Sequence, residues 1–78
     1  MQRVMAKPRL EELIVTNYNF RYEFANEAKI RPSTLSDILK GNRGVPKKVF
    51  DFAIKRFEEP FEDIFFIQNT SIIRKKTL

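Results

Sequence analysis

The chain contains no cysteine, no histidine and no tryptophan, and only two glycines among its 78 residues. Without cysteine there is no disulfide, no thiolate nucleophile and no cysteine zinc site. Without histidine the usual metal ligand and the usual acid–base group near neutral pH are missing as well. Enzymatic activity is therefore not expected, and neither is a cofactor or a metal. Of the carboxylates that a metal-dependent nuclease would have to gather, Asp37 falls on a different predicted element from Glu62 and Asp63. Long hydrophobic runs are also lacking. No stretch approaches the roughly 20 apolar residues that span a bilayer, and the N-terminus has no apolar block of a signal peptide. No membrane association is expected, and together with the absent cysteines this points to the cytoplasm.

What the chain does contain is enough for one small domain and too little for a second core. Hydrophobic residues make up 42% and charged residues 32%, a balance that favours a folded globular domain over disorder. Eight phenylalanines suggest a core built on flat rings. The net charge is +5, and its location says more than its size. Between positions 29 and 48, the six cations Lys29, Arg31, Lys40, Arg43, Lys47 and Lys48 face Asp37 alone, a net +5 that equals the whole chain's. Between positions 51 and 65, five carboxylates against Lys55 and Arg56 give −3. The positive end favours a polyanionic partner; the plainer alternative is a solvated surface that happens to be basic.

Read in order, residues 1–8 form an N-terminal arm, with Val4 and Met5 packing loosely and Arg3 and Lys7 supplying charge. Pro8 opens a first helix with Leu10, Leu13, Ile14 and Asn17 at helical spacing and Glu11 and Glu12 outward. Asn17-Tyr18-Asn19 breaks it, and Asn19 is placed to cap a second helix over Phe20 to Ala28. Pro32 to Lys40 forms a third helix, stopped by Gly41. Val45-Pro46 starts a fourth, with Val49, Phe50, Ala53, Ile54 and Phe57 as its buried stripe and Phe52 off that stripe. Glu58-Glu59-Pro60 ends it, and Phe61 to Phe65 gives a fifth short helix. The domain proper is 9–65. Residues 66–78 form a C-terminal extension, in which an in-order hairpin, an exchanged strand or packing of Ile72 and Ile73 over the domain all fit.

Around the third helix the pattern becomes specific. Leu35, Ile38 and Leu39 lie on one side and small hydroxyl residues on the other, as expected of a helix with one face buried and one face turned to a polar partner. Ala25 and Ala28 keep the second helix thin where the third must cross it, and Ile30 can plug the corner. Glu23-Phe24-Ala25, then Ile30, then Ser33-Thr34-Leu35-Ser36-Asp37-Ile38 and Gly41, resembles the lambda-repressor-like (Cro and XRE type) helix-turn-helix family over roughly Arg9 to Phe65. The resemblance implies an all-α, compact five-helix domain that binds double-stranded DNA, from a bacterial or phage source. Where the family has Thr then Gln at the start of its first motif helix, this chain has Phe20 and Arg21, so the phosphate contact there would be made by charge. Lys29 replaces the family's turn glycine and Arg31 its Ser or Thr cap. A left-handed Lys29 would carry a modest steric cost, and Arg31 cannot accept a backbone N–H.

On this reading Arg31, Ser33, Thr34, Ser36 and Asp37 meet base edges in the major groove, and Arg21, Tyr22, Lys40, Asn42, Arg43 and Lys47 hold the sugar-phosphate backbone. Gly41 and Gly44 would let backbone N–H groups of the intervening loop approach a phosphate. Phe52, Phe66, Ile67, Ile72 and Ile73 are the candidate dimerisation residues, and a homodimer on two-fold related half-sites is expected. Repression by occupancy is the simplest outcome, with displacement or a separate regulatory protein as the means of control. An antitoxin-type autoregulator, or a protein-binding adaptor that keeps the fold without binding DNA, would share these features.

Overall fold

In the structure, a computed structural model that describes residues 2–69, β1 (Gln2–Ala6) leads into α1 (Pro8–Asn17), α2 (Arg21–Ala28), α3 (Pro32–Lys40), α4 (Lys47–Phe57), α5 (Phe61–Ile64) and β2 (Phe65–Asn69). All four prolines stand where a helix begins. Pro8 and Pro32 occupy the first turn of α1 and α3, and Pro46 and Pro60 sit just outside α4 and α5. There the ring's fixed φ suits the geometry, and its missing N–H is one that the helix could not have satisfied. α2 has no proline. Its start is closed by the Glu23 carboxylate, which accepts from the N–H groups of both Asn19 and Phe20 at 3.1 Å. This corrects the expectation of an Asn19 side-chain cap, because a glutamate at the third helical position reaches back to the same orphan donors.

Helix ends use left-handed residues. Lys29 (φ 64°), Gly41 (φ 80°) and Glu58 (φ 55°) follow α2, α3 and α4. At the first two, the next N–H folds back five residues, Ile30 to the Ala25 carbonyl and Asn42 to the Asp37 carbonyl, each at 2.9 Å. Carbonyls that the helix leaves open are thereby satisfied. Only Gly41 adopts this conformation without a β-carbon in the way.

The helices enclose an apolar core centred on Phe24, which is fully buried. Tyr18 meets it edge-on at 5.7 Å, Phe57 stacks on it at 5.8 Å and Phe52 tilts against it at 5.5 Å. A second ring cluster, Phe50, Phe61 and Phe65, joins α4 to α5 and β2. Ala25 and Ala28 are buried on α2, as a close α2–α3 crossing requires, and Ile30 packs half-buried at the corner.

Helices account for 62% of the described residues, but the expected all-α architecture needs correction at both ends of the chain. The stretch expected to be a loose arm is a strand. β1 pairs antiparallel with β2 in the register Gln2↔Asn69, Val4↔Ile67 and Ala6↔Phe65. Just beyond the ladder, the Lys7 N–H donates to the Ile64 carbonyl at 2.8 Å. Five residues at each end are too short to announce a strand, and their partners lie 59 to 67 positions away. A two-stranded ladder alone is marginal in water; this one is anchored by buried Met5 and Phe65. β2 therefore finds its partner in the N-terminus, and Ile72 and Ile73 lie outside the described residues.

Candidate functional site

α3 is two-sided. Leu35 and Ile38 are 1% and 0% exposed, which fixes the helix on the core and leaves little freedom in how its other side faces outward. On that side Arg31, Pro32 and Ser33 are exposed, and Thr34, Ser36 and Asp37 are half-buried. Leu39, expected with the buried pair, is half-buried at the margin. Among the described residues, the side chains of Arg31, Ser33, Thr34, Ser36 and Asp37 have no hydrogen-bond or ion-pair partner. Arg31 does not cap α3 with its side chain, as its chemistry demands; its carbonyl takes the Leu35 N–H at 3.1 Å.

The cations expected around this face divide into two groups. Lys40, Asn42 and Arg43, at and just after the end of α3, are exposed, and Lys40 and Arg43 have no acidic partner among the described residues. The Asn42–Asp37 backbone bond holds their loop against the helix end. Lys47 and Arg21 are already engaged. Lys47 pairs with Asp51 one turn along α4 at 2.7 Å, and Arg21 pairs with Glu11 of α1. Exposed pairs of this kind contribute roughly 0.2–1 kcal/mol and exchange readily with another anion, but they lower the free charge that each cation offers. Tyr22 is 50% exposed, and its ring stacks on Phe20 at 5.5 Å.

Two cations take places that the sequence did not announce. The Lys48 ammonium donates to the Lys29 carbonyl at 2.9 Å, which carries its charge from α4 to the turn between α2 and α3. Arg3, expected on a loose arm, lies in β1 beside the loop that follows α3. There the Val45 N–H donates to the Val4 carbonyl at 2.7 Å. Gly44 faces this strand with its φ outside the left-handed region, and a β-carbon there would meet the Val4 carbonyl and the Arg3 stem at ordinary contact distances of 3.5 to 3.7 Å. No short-range pattern could have found these contacts, because each joins distant segments.

The candidate dimerisation residues separate as well. Phe66 and Ile67 are 41% and 58% exposed on β2. Phe52 is half-buried against Phe24, so the domain's own core covers much of it, contrary to the open position expected from its place off the α4 stripe. Its remaining open side faces a shallow depression shared with Asp51, Ile54 and Lys55.

Elsewhere, a polar cleft lies between the end of α1 and the outer sides of α2 and α4, lined by Asn17, Tyr18, Asn19, Glu23, Asn26, Glu27 and Arg56. Its principal groups satisfy one another. The Tyr18 hydroxyl donates to Glu27 at 2.6 Å and accepts from Arg56 at 3.0 Å, and the Arg56 guanidinium lies 5.1 Å from the Tyr18 ring centroid. Partial burial, reinforced by the bond to Glu27, raises the Tyr18 phenol above its ordinary value, so it remains neutral well into alkaline solution. Among the described residues no group of three or more carboxylates is placed to hold a metal ion, and no helix is long and apolar enough to cross a membrane. The chain matches no protein-family model, no curated protein and no solved structure.

Proposed function

We propose that the chain is a sequence-specific regulator that binds double-stranded DNA through a lambda-repressor-like helix-turn-helix formed by α2 and α3, and that it represses by occupying its operator. One observation carries this reading. Among the described residues, the outward side of α3 is a polar face with its hydrogen-bonding groups unused, it rests on a buried Leu35–Ile38 stripe, and it runs directly into Lys40 and Arg43, which have no acidic partner there.

In the proposed complex α3 lies in the major groove. Serine and threonine hydroxyls can read either kind of base pair, the Asp37 carboxylate accepts from a cytosine amino group, and Arg31 is the one residue suited to a two-point contact with guanine. Lys40, Asn42 and Arg43 hold the backbone, with Lys47 and Arg21 recruited by exchanging their carboxylate partners for phosphate. Exposed Phe66 and Ile67 on β2 support association of two copies, which would set two reading helices about 34–36 Å apart on a two-fold related operator. Light scattering across a concentration series reads that stoichiometry.

The test is a gel shift with a pool of random duplexes. Ser33→Ala combined with Ser36→Ala is expected to lose sequence preference while still binding. Arg43→Ala is expected to weaken binding to all sequences alike. A second reading, a protein-binding adaptor using Phe66 and Ile67, predicts no salt-sensitive DNA binding and no effect of Arg43→Ala. An antitoxin-type autoregulator would bind DNA in the same way and differ only in the protein that joins it.

A further inference from the structure

β1 has a neighbour on each edge. One edge carries the ladder to β2, and on the other the Val4 carbonyl takes the Val45 N–H, one residue beyond the loop that follows α3. Held this way, Arg3 lies against Gly44. A β-carbon at Gly44 would stand 3.6 Å from Arg3 Cβ and 3.7 Å from Arg3 Cδ, so the stem of Arg3 runs along the loop. The next residue back is Arg43. Two guanidinium-bearing residues from opposite parts of the sequence are thus carried by adjoining backbone, with no carboxylate paired to either among the described residues. Among the described residues, the one polar partner of Arg3 is its cross-strand neighbour Gln68, a neutral amide, at a long 3.4 Å.

Like charges fixed near one another repel, and an anion between them removes that cost. Both residues are exposed, so the anion can be large. We propose that Arg3 makes a DNA-backbone contact adjacent to that of Arg43, with Gln68 steering its guanidinium, so that the phosphate-binding surface continues from the end of α3 onto the β1–β2 sheet. The inference rests on the DNA-binding reading of α3 and extends it. It makes β1 part of the binding surface, and it ties the order of the sheet to the affinity for DNA.

The experiment measures fluorescence anisotropy of a labelled random-sequence duplex with the full chain, across a salt series from about 50 to 200 mM. One phosphate contact corresponds to about 0.9 in the slope of log K against log [salt]. Arg3→Gln is expected to lower the wild-type slope by about that amount and to weaken binding roughly fivefold to tenfold near 0.1 M salt. Arg3→Lys should restore the slope. Gln68→Glu guards against a folding defect, since an ion pair across the strands favours the ladder while neutralising Arg3 in place; it should lower the slope as Arg3→Gln does. A wild-type slope retained by both Arg3→Gln and Gln68→Glu overturns the proposal and leaves the α3 reading intact. Wild-type protein that shows no salt-dependent binding overturns both.

Discussion

Replacing Lys29 by glycine tests the geometry of the α2–α3 turn. Lys29 has φ 64° and ψ 44°, a left-handed conformation in which an L side chain crowds its own backbone at a cost of roughly 1–2 kcal/mol. Glycine removes that cost but loses more backbone freedom on folding, about 0.5–1 kcal/mol. The net expectation is a gain of about 0.5–1 kcal/mol, which for a domain this small raises Tm by roughly 2–8 °C. The charge must be controlled for, because a cation at a helix C-terminus is itself favourable by some tenths of a kcal/mol. Lys29→Ala supplies that control, since it keeps the β-carbon and drops the charge. The Lys48 ammonium bonds to the Lys29 carbonyl, which neither substitution removes. Thermal unfolding followed by circular dichroism should therefore place Lys29→Gly above Lys29→Ala by the full amount. Equal midpoints for the two would refute a left-handed residue at position 29, and with it the angle at which α3 leaves α2.

Other expectations follow from the core and the surface. Phe24→Ala removes the ring at the centre of the aromatic cluster and should cost about 3–5 kcal/mol by urea unfolding, a large part of the stability of so small a domain; a loss under about 1 kcal/mol would mean that the cluster packs elsewhere. Hydrogen bonds from the Arg9 guanidinium at 3.1 and 2.5 Å hold the Glu59 carboxyl below the usual glutamate range, against a smaller opposing effect of burial. A depressed folded pKa gives stability that is present above the unfolded value and lost as pH falls through the folded one. Wild type should thus exceed Glu59→Gln in urea midpoint at neutral pH, modestly because the pair is partly exposed, and the gap should close below about pH 4. A gap that persists in acid would contradict the ion pair.

Much of the helical layout was legible because its signals are local. Pro8, Pro32 and Gly41 bound α1 and α3 within the residues that carry the helical spacing, and the Leu35–Ile38 stripe orients α3 from sequence alone. The resemblance puts Lys29 where a turn glycine would stand, with a modest steric cost if left-handed, and Lys29 is left-handed. What escaped was set by partners far away in the chain. A five-residue strand at Gln2–Ala6 acquires its meaning only from Phe65–Asn69, and nothing near Gly44 in the sequence records that β1 lies beside it. Phe52 failed for a different reason. The stripe on α4 is wider than a strict helical repeat allows because Phe24 reaches across to it. Arg21 shows the limit at the candidate surface itself: its charge was evident, but whether Glu11 on another helix would engage it was not.

The central claim, that the outward side of α3 and the loop after it form the surface that meets DNA, is tested most directly by nuclear magnetic resonance of isotope-labelled protein titrated with a duplex selected from the random pool. The account predicts that amide signals of Arg31, of Ser33 to Asp37 and of Lys40 to Arg43 shift or broaden on binding, while those of Glu12, Val15 and Thr16 on the outer side of α1 stay in place. Shifts confined to α1 or to the polar cleft around Tyr18 and Arg56, with α3 unmoved, would contradict it.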